Sequence, residues 1–112
     1  GTGEGVRDWL YIKDAVDAIF AILEFDIPFE IFNIGNGKGT STNKLIQLCE
    51  EIAGIKANIK NVDAPAGDAH FAGLADCSKI KKMLNWEAKI DLAEGIKRTY
   101  TYMASEHKVM KG

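Results

Sequence analysis

The sequence predicts a small α/β chain of about four helices and a few short strands. Apolar residues recur at helical spacing over 42–53 and 92–104. Short β-prone runs bounded by glycine, asparagine or proline stand at 6–12, 30–35 and 57–62. The length of 112 residues leaves room for one domain. An apolar share of 46% and a charged share of 27% are those of a folded globular chain, so disorder is not the expected main state.

The chain opens with glycines at 1, 3 and 5, followed by an extended run from Val6 to Ile12. Asp14 is then expected to cap a helix over 15–24, its carboxylate suiting the free N–H groups and positive dipole of a first turn. In that helix only Asp17 interrupts Ala15 to Leu23. A helix apolar nearly all round is a buried helix. A short chain has little interior in which to bury one, so the sequence predicts a piece of a larger protein whose missing part covers this helix.

After Pro28, Glu30 to Gly35 reads as a short strand ending at glycine. The glycine-rich turn Gly35 to Gly39 leads to Ser41, the expected N-cap of a helix over 42–53. That helix has Leu45, Ile46, Leu48, Cys49 and Ile52 on one face and ends at Gly54. Alternation from Ala57 to Val62 predicts a half-exposed strand, and Pro65 and Gly67 a loop. Phe71 to Ala75 is a candidate for a second short extended piece. Asp76 is expected to cap a helix over 77–84 with Ile80, Met83 and Leu84 inward. Trp86 follows a turn at Asn85 and is expected to plug the core. Asp91 and Glu94 resemble a capping box opening a last helix over 92–104, which aligns Leu92, Ile96, Tyr100 and Met103. Residues 105–112 are expected to form a frayed tail.

Composition excludes several function classes. A net charge of −2 with interspersed signs lacks the basic surplus of a nucleic-acid binder. The longest apolar run, Ala18 to Leu23, is too short to span a bilayer. The two cysteines, Cys49 and Cys77, form no CxxC pair and lie far from His70 and His107, so no metal site is expected. Nothing points to an oxidising compartment, and a cytoplasmic setting is the default. The Gly35–Gly39 loop invites a phosphate-loop or dinucleotide reading, but Gly39 rather than Ser or Thr follows Lys38, and no third glycine enters the helix. A small phosphate-binding enzyme built on that loop is therefore a discounted third reading. The histidines stand without a visible nucleophile. No tyrosine is followed four residues later by lysine. Arg7, beside a glycine-rich turn, suits bidentate binding of a diphosphate, or alternatively an ion pair with Asp8 or Asp14.

Taken together the motifs resemble one family. Gly3-Glu4-Gly5-Val6-Arg7-Asp8-Trp9-Leu10-Tyr11-Ile12-Lys13-Asp14 is similar to the G-x-x-x-R-D-aromatic-x-Y-V-x-D signature of the NAD-dependent nucleotide-sugar epimerases and dehydratases, the extended short-chain dehydrogenase/reductase family. Phe32 to Gly37 resembles its F-N-I-G-x-G; Gly67-Asp68 and Ala75 to Lys79 resemble its G-D and A-D-x-S-K; Leu84-Asn85-Trp86 and Leu92 to Ile96 resemble its closing motifs. These motifs belong to the family's C-terminal part. The resemblance implies that 1–104 is a substrate-binding portion of an extended short-chain dehydrogenase/reductase fold lacking the Rossmann core, with NAD and the Tyr-x-x-x-Lys pair belonging to a missing N-terminal part. It implies Arg7 on the diphosphate of a nucleotide sugar and Asp68 on a ribose or sugar hydroxyl, no catalytic residue here, and a chain inactive alone. The family commonly has Arg or Gln shortly before Gly-Asp, where this chain has Ala64, Pro65 and Ala66. The alternative is a non-catalytic, truncated family member that binds a partner or a second copy through helix 15–24.

Overall fold

The β-prone run after Gly5 forms the central strand of a small sheet. The structure is a computed structural model that describes residues 1–26, 28–67 and 72–111, the side chains of 72 and 108–111 excepted. In chain order the elements are β1 (Val6–Asp8), α1 (Ile12–Glu24), β2 (Gly39–Ser41), α2 (Thr42–Ala53), β3 (Ala72–Gly73), α3 (Ser78–Leu84) and α4 (Leu92–Lys111). The sheet order is β2-β1-β3. β1 pairs antiparallel with β2, Arg7 facing Thr40, and parallel with β3, Arg7 facing Gly73. The architecture is the expected α/β arrangement of four helices around short strands.

The local signals for α2 are met in full. The Ser41 hydroxyl accepts from Lys44 N at 3.1 Å, and Gly54 closes the helix in the left-handed region at φ 72°. α4 opens as predicted too, with Asp91 Oδ1 accepting from Glu94 N at 2.8 Å. Glu94 does not complete the capping box; its carboxylate accepts from Arg98 Nε at 2.9 Å. α4 continues to Lys111, past the expected end at 104, because 105–111 contains no glycine or proline and several good helix formers. α3 begins at Ser78, one residue later than expected, with Cys77 rather than Asp76 as its N-cap; Asp76 stands one residue earlier and accepts from Ser78 N at 3.0 Å, and Asn85 ends the helix in the left-handed region at φ 54°.

Three predicted features differ. Asp14 is not the cap of α1: the helix begins at Ile12, with Tyr11 as N-cap and no side-chain cap bond. Asp14 is instead buried within the first turn and accepts from Lys89 N at 3.2 Å and Ile90 N at 2.9 Å, clipping the segment before α4 to the helix. Residues 30–35 join no strand ladder; Phe32 and Ile34 pack sideways against the core. Residues 57–62 are likewise not a strand and are exposed throughout.

The core is small. Ala18, Ile80 and Trp86 are buried at its centre, with Leu10, Ile22, Phe32, Ile34, Cys77 and Leu84 packed around them. Met83, Tyr100 and Met103, expected inward, are exposed. On α1 the stripe Asp14, Ala18 and Ile22 turns in, whereas Ile12, Ile19, Phe20 and Leu23 face out, Leu23 at 73% exposure. The radius of gyration is 16.9 Å, against about 13 Å for a compact chain near this length. The chain is thus a thin layer, and the apolar helix singled out by its sequence is covered on one side only. No helix among the described residues is long and apolar enough to cross a membrane.

Candidate functional site

Along β1, side chains alternate between the two faces of the sheet. Asp8 turns toward the glycine-rich turn. Its Oδ1 accepts from Asn36 N at 2.7 Å, and its Oδ2 from Gly37 N at 2.8 Å and Ala75 N at 3.2 Å. Gly35 permits this approach: a Cβ there would lie 2.6 Å from Ala75 Cβ and 2.7 Å from Asp8 Oδ2. The Cys77 thiol donates to Gly35 O at 3.4 Å. Burial, and then the nearby Asp8 charge, push that thiol's pKa up, which keeps it a protonated donor. Two consecutive N–H groups of the Gly35–Gly39 turn are therefore held by Asp8. They are not available to a phosphate, and the turn does not fit a dinucleotide.

Arg7 takes the other face. It is half-buried, and its Nη1 donates to Val6 O at 3.1 Å. It lines a groove of about 540 Å³ between residues 1–5, the start of α2 and the segment 59–65. Thr42, Asn43, Lys60 and Asn61 are among its walls. The start of α2 is fully engaged: Thr42 N donates to Gly5 O at 3.2 Å, Asn43 N to Gly3 O at 2.8 Å and Lys44 N to Ser41. Across the floor, Trp9 Nε1 donates to Thr40 O at 3.1 Å and Asn43 Nδ2 to Thr2 O at 3.2 Å. Arg7, Lys60 and several polar side chains thus share an open volume with apolar walls from Ile46, Ile59 and Val62.

A second groove, about 550 Å³, lies between the start of α1, α2 and α4. Its walls include Leu45, Cys49, Ile52, Ile96 and Tyr100. It is largely apolar, with no cationic side chain among the described residues that line it, and reads as an uncovered helix–helix seam. Cys49, expected to pack as a small hydrophobe, is exposed along it.

Of the two binding residues expected from the sequence, Arg7 stands in the polar groove, and Asp68 lies outside the described residues, as does His70. The sequence treatment weighed Asp8 only as an ion-pair partner and missed its role as a three-way backbone clip. It also took no account of Lys60 and Asn43, whose place in the groove depends on segments distant in the chain.

Residues 1–99 match the family model described as GDP-mannose 4,6 dehydratase. A curated relative, the UDP-glucuronate 4-epimerase of Thermodesulfobacterium geofontis, is 36% identical over 99% of this chain and 34% of its own length. The crystal structure of a UDP-glucose 4-epimerase with UDP-glucose from Thermotoga maritima superposes with a TM-score of 0.85 at 38% identity, over 95% of this chain and 34% of that one. The UDP-glucose-4-epimerase of Stenotrophomonas maltophila, with bound NAD and formylated UDP-arabinopyranose, superposes with a TM-score of 0.84 at 29% identity, over 95% and 32%. The chain spans about a third of the length of these relatives. The ordered motifs, the fold and the matched family model agree: the chain belongs to the NAD-dependent nucleotide-sugar epimerase and dehydratase family and matches the C-terminal part of its fold.

Proposed function

We propose that this chain is the substrate-binding portion of an NAD-dependent nucleotide-sugar epimerase or dehydratase. Arg7 carries the reading. It is fixed at mid-strand in β1, half-buried, and lines a groove of mixed polar and apolar walls large enough for part of a nucleotide sugar. A guanidinium held by packing loses little freedom on binding, and its fork matches a diphosphate through paired, charge-assisted bonds. In this reading Arg7 holds the diphosphate and Asp68 bonds a ribose or sugar hydroxyl. The redox step belongs to residues outside this chain: the sequence has no Tyr-x-x-x-Lys pair and its glycine turn is closed by Asp8. NAD is accordingly assigned to an N-terminal Rossmann part, against which the outward face of α1 packs.

The test is Arg7→Ala in the intact protein, with nucleotide-sugar binding measured by calorimetry. Affinity is expected to fall by about 1.5–3 kcal/mol, the scale of a hydrogen bond to a charged group. Unchanged affinity removes Arg7 from the site. A coding sequence that supplies no Rossmann glycine motif and no Tyr-x-x-x-Lys pair alongside this chain also rules the reading out.

One observation favours the non-catalytic alternative. Ile12, Phe20 and Leu23 on α1 are each more than half exposed, an apolar face that a second copy of the chain can cover. Sedimentation of the isolated chain distinguishes the two: a stable dimer supports self-association through α1, and a monomer without exposed-hydrophobe dye binding counts against it.

A further inference from the structure

We propose that Asn36 is a latent site of deamidation, and that Asp8 keeps it inert by holding the backbone N–H of Gly37. Asparagine deamidates when the backbone nitrogen of the next residue loses its proton to base and attacks the side-chain carboxamide carbon. The new C–N bond closes a succinimide ring, the Cγ–Nδ2 bond breaks, and ammonia leaves. Water then adds to one of the two ring carbonyls and opens the ring to aspartate or isoaspartate. Glycine hinders this attack least, because it has no Cβ and its backbone turns freely. Asn36 is followed by Gly37, whereas every other asparagine of the chain precedes isoleucine, lysine, valine or tryptophan.

The folded turn withholds both reacting groups. Gly37 N donates to Asp8 Oδ2 at 2.8 Å, and Asn36 N donates to Asp8 Oδ1 at 2.7 Å. The Gly37 bond opposes the reaction twice. A carboxylate beside the N–H disfavours loss of its proton, as any neighbouring negative charge does. The nitrogen must also leave that carboxylate before it can reach Asn36 Cγ. The Asn36 carboxamide is itself tethered, its Nδ2 donating to Trp9 O at 3.5 Å. Exclusion of water contributes nothing, since Gly37 is exposed. Protection therefore lasts as long as the clip is closed, and a local opening of the turn is enough to end it. The change is one-way. Aspartate at 36 loses the donor to Trp9 O and brings a second negative charge to the turn. Isoaspartate adds a methylene to the main chain and displaces Gly37 N from Asp8. Either product weakens the clip that had prevented it.

The experiment incubates the intact protein in mildly alkaline buffer and follows aspartate and isoaspartate at 36 by peptide mapping with mass spectrometry. Asn36 is expected to react slowly in the folded protein and fast in the same protein unfolded in urea. Equal rates would overturn the proposal, and that comparison requires no variant to fold. Asp8→Ala, with its fold checked by circular dichroism, is expected to speed the reaction about ten- to a hundredfold, the scale of a lost bond to a charged group. Asp8→Asn, which keeps one acceptor oxygen without the charge, is expected to fall between. Unchanged rates in both Asp8 variants would also overturn the proposal. Asp14→Ala is the control: it removes the carboxylate that holds Lys89 N and Ile90 N and leaves the turn intact. It is expected to keep Asn36 near the slow rate. Acceleration as large as in Asp8→Ala would show that lost stability, and not the loss of Asp8, exposes Asn36, and the proposal would fall.

Discussion

Arg7 and Asp8 are neighbours on β1, yet they serve opposite faces of the sheet. On one face Asp8 is satisfied by the N–H groups of Asn36, Gly37 and Ala75. On the other, Arg7 lines a polar groove with Lys60. The same division recurs at Asp14, whose buried carboxylate is satisfied by Lys89 N and Ile90 N. The two acids of the Arg-Asp…Asp motif tie distant backbone together, while Arg7 lines the groove on the opposite face. A carboxylate clip works because each oxygen meets fixed backbone donors; a groove works because its walls leave polar capacity open. Two residues one position apart therefore differ in what their loss should break.

The largest expected effect is at Asp8. Asp8→Ala removes the acceptor of three backbone N–H groups, two of them on the glycine-rich turn. It should lower stability by about 3 kcal/mol, given the usual cost of losing bonds to a charged acceptor and leaving donors unmet. Chemical denaturation of the intact protein measures this. A loss below about 1 kcal/mol would mean that water replaces the carboxylate at little cost, and the contrast between the faces would dissolve. Arg7→Ala is the matching control, expected to act on ligand binding far more than on stability.

Gly35→Ala attacks the same clip from the turn. The added methyl would sit 2.7 Å from Asp8 Oδ2 and 2.6 Å from Ala75 Cβ, too close for either. The strand or the turn must shift, at an expected cost of about 1–3 kcal/mol. The effect should be reduced but not abolished in an Asp8→Ala background, because the Asp8 clash and the bonds that hold the turn are then gone while the Ala75 clash remains. Full additivity of the two substitutions would show that Gly35 matters for another reason.

These contacts also show which features were legible in the sequence. α2 was readable end to end because its signals are local: Ser41 bonds three residues on, and Gly54 terminates its own helix. The place of Arg7 on a strand was readable because its motif is contiguous. Asp14 was misread because an acid near a helix start looks like a cap, while its true partners at 89 and 90 are far along the chain. The alternating 57–62 segment was misread because alternation cannot say whether a segment meets a sheet edge; this one lies along the opening residues instead, through Asn61 and Gly1. Tyr100 and Met103 follow helical spacing, but they stay exposed among the described residues. Lys60 carried no signal, since its groove forms only when 59–65 lies along 1–5.

The smallest expected effect comes from a pair that resembles the clips without their burial. Glu30 accepts from Lys79 Nζ and from Ile31 N, and Lys79 Nζ also donates to Ile31 O at 2.7 Å. The Lys79 bond first, and the Ile31 N–H second, hold the Glu30 carboxyl below its usual range. A carboxylate lowered by folding stabilises the folded state above its ordinary pKa and loses that contribution as pH falls through the lowered value. The pair is exposed, so solvent and salt screen it and its worth is slight. Glu30→Gln should therefore lower the melting temperature slightly near neutral pH, with the difference closing as pH falls below the ordinary carboxylate range. A difference that stayed constant with pH would assign the effect to packing near Phe32, over whose ring Lys79 lies at 5.2 Å, rather than to charge. Asp8→Ala should remain destabilising near neutral pH in high salt, where the Glu30 effect is screened. That separation would mark a carboxylate clip as distinct from an ion pair.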